Sequence, residues 1–335
     1  MTVARLLCGD ALVVLRGLES DSVRCCVTSP PYWGLRDYGT EGQIGLERTP
    51  EEYVAKLVAV FREVRRMLTS DGTLWLNVGD SYANDGKWGG STGGLHALAL
   101  HGASVGRGKR HTGLKPKDLV GIPWMVAFAL RADGWWLRCP IIWHKPNGMP
   151  GSQKDRPTLN YEYVFILSKS ASYYYDHEAI AEPVTYGDHP RNGVPGPDVQ
   201  SPGQVKQSGI TKRRRSGNKE RVLGPGRTRP DSHFGGSVPW EDKNGKRTAR
   251  AVWTIPVQPY VGAHFAAMPE ALARPCILAG SAVGDTVLDP FGGSGTVAQV
   301  ATGNGRSAIH VDLNPQYIEM ARQRVGPILC AEGVR

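Results

Sequence analysis

Short apolar runs rich in β-branched residues recur along the chain, and most of them precede a segment with helical periodicity. Strands that are buried on both faces have this composition, because helices cover each side of a parallel sheet. The alternation therefore predicts an α/β protein with a doubly wound, mostly parallel, seven-stranded Rossmann-like sheet. The seven predicted strands are Arg5–Cys8, Val23–Thr28, Thr73–Val78, Trp135–Trp143, Tyr161–Leu167, Thr286–Leu288 and Ala308–Val311.

Segments with helical periodicity lie between these runs. One of them begins with Thr49 as a candidate N-cap, Pro50 in the first helical position and Glu52 in a capping box, which together mark a helix start. Its apolar residues recur on one side, and this predicts a helix that covers the sheet. The five predicted helices are Pro50–Leu68, Pro116–Ala132, Met268–Ala279, Gly295–Gly303 and Pro315–Arg324.

Two polar stretches interrupt the alternation. Residues 84–115 are glycine-rich and basic without sustained periodicity, which predicts a long mobile loop. Residues 183–250 are dense in Gly, Pro, Lys and Arg; Ala181–Arg250 holds fourteen basic against seven acidic residues, which is +7 of the net charge of +9. This stretch is either a disordered insertion or a module that binds a polyanion such as nucleic acid. Residues 1–182 and 251–335 are then two parts of one domain around it.

Composition and cysteine spacing exclude several other classes of protein. No apolar run approaches the roughly 20 residues that a membrane-spanning helix needs, and the start of the chain has no signal-peptide pattern. A cytoplasmic location without membrane attachment is therefore expected. The six cysteines show no metal-ligand spacing, so reduced thiols and no metal site are expected. Cys276 follows Pro275, a pair that can carry a nucleophile, but it lies midway along a predicted helix, where a structural thiol is preferred.

The segment Asp289–Thr296 has the composition of a ligand-binding turn. An apolar strand ends at Asp289, and the sequence Pro-Phe-Gly-Gly-Ser-Gly then leads into a helix at Thr296. Glycines let the backbone approach a ligand closely, and the first amides of the helix point toward it. The next strand is followed by Asp312, where this fold binds a pair of ribose hydroxyls. Asp312 has an alternative interpretation as the N-cap of the helix that begins at Pro315.

The segment Ser29–Tyr32, of sequence Ser-Pro-Pro-Tyr, is the second chemical signal. It also follows an apolar strand, and its two prolines stiffen the turn and leave carbonyl oxygens free to accept hydrogen bonds. Such a turn suits an amino group, whose two N–H bonds could go to Ser29 Oγ and the Pro30 carbonyl while Tyr32 stacks on the attached ring. Alone, the turn is equally compatible with a surface loop or a proline-recognition ligand.

Taken together, the two segments resemble the amino-methyltransferases that modify bacterial and phage DNA. Their order, with the catalytic turn first and the cofactor loop last, resembles the circularly permuted beta class of that family. In that class a target-recognition region precedes the cofactor loop, and residues 183–250 occupy this position. Three further segments are similar to motifs of the family, namely Cys8–Asp10, Ile141–Asn147 and His264–Glu270.

The resemblance implies the fold of S-adenosylmethionine-dependent methyltransferases and assigns roles to particular residues. The catalytic residues would be Ser29, Pro30, Pro31 and Tyr32. The cofactor-binding residues would be Asp10, Phe265, Asp289, Phe291, Gly293, Gly295, Thr296 and Asp312. Trp33 and Trp143 are further candidates, beside Tyr32, for stacking on the base. The DNA phosphates would contact Lys212, Arg213, Arg214 and Arg215.

Serine at the head of the turn resembles the enzymes that methylate N4 of cytosine, whereas those that methylate N6 of adenine usually carry Asp or Asn there. We therefore expect a site-specific cytosine-N4 DNA methyltransferase that acts on a flipped base, with adenine N6 as the alternative. A non-catalytic, nucleotide-sensing DNA-binding protein is a third candidate. The expected partners are S-adenosylmethionine and double-stranded DNA. A cognate restriction endonuclease is a further candidate partner, and both a monomer and a homodimer are open.

Overall fold

A large sheet is the main element of the described structure, as the alternation predicts. Its strands lie in the order β11-β1-β10-β9-β2-β3-β5-β4-β8. They are β1 (Ala4–Cys8), β2 (Val23–Thr28), β3 (Leu68–Val78), β4 (Trp136–His144), β5 (Tyr161–Ser168), β8 (Val252–Thr254), β9 (Thr286–Asp289), β10 (Ser307–Asp312) and β11 (Cys330–Ala331). The helices are α1 (Ala11–Arg16), α2 (Pro50–Met67), α3 (Ile122–Ala132), α4 (Glu270–Gly280), α5 (Thr296–Gly303) and α6 (Pro315–Val325).

The computed structural model describes residues 2–34, 39–83, 113–148, 150–151, 153–183, 246–258, 268–326 and 330–331. The chain divides into two compact units, one of Met1–Ala181 with Thr248–Arg335 and one of Glu182–Arg247. In the described part of the second unit, β6 (Glu182–Pro183) pairs with β7 (Lys246–Arg247) in an antiparallel ribbon. Most of the predicted loop 84–115 and of the basic stretch 183–250 lies outside the described residues, so their assigned roles stay predictions.

All seven predicted strands are present, and the short strands β8 and β11, one at each side of the sheet, bring the number of strands in its described part to nine. The sheet is mostly parallel, because β5 is the single strand among its described ones that runs antiparallel to its neighbours, β3 and β4. The predicted helix Pro116–Ala132 is wrong in its first residues: α3 begins at Ile122. Asp80, which follows β3, explains this start, since its carboxylate accepts hydrogen bonds from the amides of Gly121 and Ile122 at 2.9 and 3.1 Å.

Helices cover both faces of the sheet, which makes it doubly wound. Neighbouring residues of β2 illustrate the two faces, because side chains alternate along a strand. Cys26 belongs to the apolar cluster that contains residues of α1, α2 and α3. Cys25 and Val27 belong to the other cluster, with residues of α4, α5 and α6. Among the described helices, none is both long and apolar enough to cross a bilayer.

The parallel strands bring distant segments of sequence to one edge of the sheet. β2 pairs with β9, β9 with β10 and β10 with β1, all in parallel. Cys8 is paired with Asp312, and His310 is paired with Asp289. The loops that follow these four strands therefore leave from the same edge, which is where ligands bind in open α/β sheets.

Candidate active site

One cavity of about 570 Å³ opens at the carboxyl ends of the parallel strands. Its walls include the whole Ser29–Tyr32 turn and the Asp289–Ser294 part of the glycine loop. The volume lies within the range of about 300–1,000 Å³ that small-molecule sites occupy. Tyr32 and Phe291, which are far apart in sequence, thus face the same space. A donor bound at one motif could reach an acceptor bound at the other.

Asp289 joins the two motifs directly. Its Oδ1 accepts a hydrogen bond of 2.6 Å from the hydroxyl of Thr28, the residue before the turn, and one of 3.1 Å from the Phe291 amide. The side chain is nearly buried, at 5% exposure. Burial raises the pKa of Asp289 to about 7, against the opposing effect of the hydrogen bonds from Thr28 and Phe291. Near neutral pH, this carboxyl group therefore changes its charge readily.

Asp312 joins the glycine loop to the loop after β10. Its two carboxylate oxygens accept hydrogen bonds from the amides of Gly293 and Asn314, both at 2.8 Å. The N-cap of α6 is Asn314, whose side chain accepts from the Gln316 amide at 2.9 Å. The alternative interpretation of Asp312 as that cap is therefore wrong. Asp312 lines the cavity, and burial raises the pKa of its carboxyl group.

The glycine loop lies so close to its neighbours that side chains would not fit at two positions. A Cβ atom on Gly292 would lie 2.1 Å from Nδ1 of the buried His310. Gly295 has a φ of +83° and would place a Cβ atom 2.7 Å from that of Ala321 on α6. Gly293 lines the cavity, whereas Gly295 does not. Gly295 therefore allows α5 to pack closely against α6, because it has no side chain between them.

Arg324, on α6, holds the end of the glycine loop from behind. Its guanidinium group donates to the hydroxyls of Ser294 at 3.2 Å and Thr296 at 2.8 Å, and it pairs with Glu270 of α4 at 3.0 Å. Thr296 lines the cavity, but its hydroxyl oxygen is engaged by Arg324. The sequence analysis did not single out Arg324, because basic residues near the C-terminus of a helix are common on protein surfaces.

The Ser-Pro-Pro-Tyr turn is held by hydroxyl groups. The Tyr32 hydroxyl has one hydrogen, which it donates to Glu162 Oε2 at 2.7 Å; Asn77 Oδ1, at 3.1 Å, is the more distant acceptor. Ser29 Oγ donates to the Tyr32 oxygen at 3.3 Å. Burial, and next the charge of Glu162, raise the pKa of Tyr32 well above its ordinary value. The hydroxyl of Tyr53 on α2 donates to the Pro31 carbonyl at 2.9 Å. The turn is thus fixed at both of its ends.

Two polar side chains that the sequence analysis missed, Glu162 and Asn77, stand beside this turn, and both line the cavity together with Lys145 of the Ile141–Asn147 segment. Glu162, on β5, forms an ion pair with Lys145 through its other oxygen. Asn77, on β3, donates from Nδ2 to Glu162 Oε2 and to the Tyr163 carbonyl, each at 3.1 Å. A signal was available, because Asn77 and Glu162 are polar residues inside otherwise apolar strands.

The remaining predicted residues near the cavity differ in their surroundings. Asp10 lines the cavity and also caps α1, accepting from the Val13 amide at 3.0 Å. Trp143 lines the cavity at 4% exposure, with the Lys145 ammonium 4.3 Å from its ring centroid. Trp33 is 1% exposed, is absent from the cavity wall and donates to the Glu47 carbonyl at 3.0 Å. The prediction that Trp33 stacks on a base is therefore wrong, because its ring belongs to the core.

Two of the predicted groups, Phe265 and Lys212–Arg215, lie outside the described residues. Cys276 lies within α4, where its thiol donates to the Leu272 carbonyl at 3.2 Å. Burial raises the pKa of this thiol well above its ordinary value, and the residue does not line the cavity. A nucleophilic role for Cys276 is thereby excluded at this site.

Known proteins resemble this chain over nearly its whole length. A family model described as DNA methylase, of the N6/N4 methyltransferase type, matches residues 23–323. The chain belongs to this DNA methylase family. This methylase is 42% identical to the type II methyltransferase M.Cfr9I of Citrobacter freundii, over 96% of its own length and 87% of the relative. The identity to the type II methyltransferase M.SmaI of Serratia marcescens is also 42%, over 96% of this chain and 90% of the relative.

Solved structures agree with this membership. The putative DNA modification methylase TTHA0409 of Thermus thermophilus, in complex with S-adenosyl-L-methionine, matches with a TM-score of 0.53 and 25% identity, over 98% of this chain and 96% of that one. The cytosine-N4-specific PvuII DNA methyltransferase matches with a TM-score of 0.59 and 16% identity, over 97% of this chain and 86% of that one. At that identity, the second match shows a common fold only.

Proposed function

We propose that this methylase transfers a methyl group from S-adenosylmethionine to N4 of a flipped cytosine in double-stranded DNA, as the modification enzyme of a restriction-modification system. The single observation that carries the proposal is that Ser29–Tyr32 and Asp289–Ser294 line one cavity. Methyl transfer needs a donor and an acceptor in line and in contact, so catalysis is largely a matter of positioning.

The charge of the cavity suits S-adenosylmethionine. This cofactor carries a positive sulfonium and ammonium group and a ribose with two hydroxyls, and it supplies a methyl group bonded to the sulfur. The described lining contains four acidic side chains, Asp10, Glu162, Asp289 and Asp312, against Lys145 as its one basic side chain. The residues proposed to hold the cofactor are Asp10, Asp289, Phe291, Gly293, Thr296 and Asp312, together with Phe265.

The turn suits an exocyclic amine. Ser29 Oγ donates its hydrogen to Tyr32, so its lone pairs are free to accept a hydrogen bond from one N–H group of the substrate amine. The Pro30 carbonyl would accept a hydrogen bond from the second N–H group. The two prolines have no backbone N–H that could compete for this carbonyl. These two bonds would direct the nitrogen lone pair toward the methyl group. The preference for cytosine over adenine rests on the serine at the head of the turn.

The target base must leave the duplex to reach this cavity, at a cost of a few kcal/mol. Stacking on Tyr32 would offset about 1–3 kcal/mol of that cost, and Trp143 is a second candidate in the same wall. We propose that Lys212–Arg215 contact DNA phosphates, which would make binding strongly dependent on salt.

The order of the motifs supports membership of the permuted beta class. The strand that leads to the catalytic turn, β2, precedes the strand that leads to the glycine loop, β9, by more than 250 residues in sequence. In the sheet, the same two strands are direct parallel neighbours. A chain that began at β9 instead would form the same site with the motifs in the opposite order.

Mass spectrometry of DNA methylated with isotopically labelled cofactor tests the proposal. The expected product is labelled N4-methylcytosine, which Ser29→Ala should reduce at least about a hundredfold while cofactor binding persists. Labelled N6-methyladenine would instead support the adenine alternative. DNA binding without any labelled product, at cofactor saturation, would rule out the enzyme in favour of a DNA-binding protein.

A further inference from the structure

Three oxygen atoms form a directed chain from the catalytic turn into the cavity wall. Ser29 Oγ donates to the Tyr32 oxygen at 3.3 Å, and the Tyr32 hydroxyl donates to Glu162 Oε2 at 2.7 Å. Both hydrogen bonds run away from the amine position proposed above, beside Ser29 Oγ and the Pro30 carbonyl. The first is longer than the usual hydroxyl bond of about 2.8 Å, and catalytic hydrogen bonds of this kind shorten when the substrate binds.

Methylation of an amine creates a proton that has to leave. The carbon–nitrogen bond forms from the nitrogen lone pair while the methyl–sulfur bond breaks and its electron pair stays on sulfur. The nitrogen is then positively charged and must lose a proton. Neither the Ser29 hydroxyl nor the Pro30 carbonyl retains an extra proton near neutral pH, so the turn needs an acceptor beyond itself.

We propose that the carboxylate of Glu162 is the terminal acceptor of this proton, reached through Ser29 and Tyr32. The amine proton moves to Ser29 Oγ as the serine proton moves to the Tyr32 oxygen and the tyrosine proton moves to Glu162 Oε2. Ser29 and Tyr32 end neutral, and Glu162 ends as a carboxylic acid that returns the proton to water. The inference rests on the proposed function and adds to it the route of the proton.

The surroundings of the chain agree with this route. Glu162 faces Lys145 from the residue that follows β4, Asn77 from β3 and Tyr32 from the turn. The ion pair with Lys145 uses Oε1, which leaves Oε2 for the tyrosine. Because the pKa of Tyr32 is raised by burial and by Glu162, the phenol remains protonated. It therefore receives one proton only as it passes another on.

Single-turnover methylation by the wild type, Glu162→Gln, Tyr32→Phe and the double variant tests the inference. The amide oxygen of Gln can still accept the Tyr32 hydrogen bond, so a purely positioning role would survive that change. We expect each single variant to lose about a hundredfold in rate, with melting temperature and cofactor affinity unchanged. The double variant should be no slower than either single one, because a chain interrupted once has no further step to lose.

Tyr53→Phe is the matched control, since it removes a hydroxyl that holds the same turn at Pro31 but lies outside the chain. Its effect should multiply with that of Glu162→Gln. Heavy water should slow the wild type but not Glu162→Gln. Any of three results would overturn the inference. The first is a Glu162→Gln rate equal to that of wild type, and the second is a Glu162→Gln/Tyr32→Phe variant whose loss in rate is the product of the two single losses. The third is a wild-type rate that heavy water does not change. A wild type that methylates no DNA would instead refute the proposed function.

Discussion

Replacing Asp289 with Asn should stabilise the ligand-free protein at neutral and higher pH while it weakens cofactor binding. Asp289 is nearly buried, and its pKa of about 7 lies far above the ordinary value near 3.9 for aspartate. The amide oxygen of Asn can still accept the hydrogen bonds from Thr28 and Phe291. The substitution therefore removes a buried charge and keeps the geometry.

The magnitude follows from the linkage between protonation and folding. Because the pKa is raised in the folded state, the native protein keeps this proton at pH values where the unfolded chain has lost it. The stability from Asp289 is complete below about pH 3.9, is lost as the pH rises to about 7, and stays constant above that. A shift of about three pKa units corresponds to about 4 kcal/mol between the two limits.

Urea unfolding of the wild type and of Asp289→Asn at pH 5, 6, 7 and 8, without cofactor, measures the difference between their free energies of unfolding. The advantage of Asp289→Asn in the free energy of unfolding should grow from pH 5 to pH 7 and then level off. Asp133→Asn, which removes the acidic partner of Arg62, is the control for the change from acid to amide, and its stability difference from wild type should not grow over this pH range. A difference that is constant across the pH range, or a variant less stable than wild type at pH 8, would refute the reasoning.

Three further substitutions test the residues that support the two motifs. Gly79→Ala would place a Cβ atom 2.7 Å from the Tyr32 ring, so single-turnover methylation should fall at least about tenfold while calorimetry finds cofactor affinity unchanged. Gly292→Ala would push the glycine loop away from His310 and weaken cofactor binding; adding His310→Ala should restore part of that affinity, and no recovery would count against the contact. Arg324→Gln should weaken cofactor binding about tenfold through lost hydrogen bonds, whereas a kcat effect at saturating cofactor would contradict this role.

The sequence alone determined the strands, the doubly wound class and the two chemical motifs. Buried parallel strands need β-branched apolar runs, so their composition marks them without any tertiary information. Each motif is contiguous, and its chemistry comes from neighbouring residues: prolines that stiffen Ser29–Tyr32, and glycines that let Asp289–Thr296 approach a ligand. The described segments that were missed are α1, β6, β7, β8 and β11, each of which has six residues or fewer, too few to establish a period.

Only the tertiary structure decided which side chains meet these motifs. Glu162 and Asn77 reach Tyr32 because the antiparallel β5 lies beside β3 in one particular register. A shift of β5 by one residue would turn Glu162 to the opposite face of the sheet, away from Tyr32. The positions of Trp33 and Trp143 also depend on packing. Trp33 follows the Ser29–Tyr32 turn directly in sequence but lies in the core, whereas Trp143 is distant from the turn in sequence but lines the cavity. Local sequence cannot encode such contacts, because they depend on strand order and register across the whole sheet.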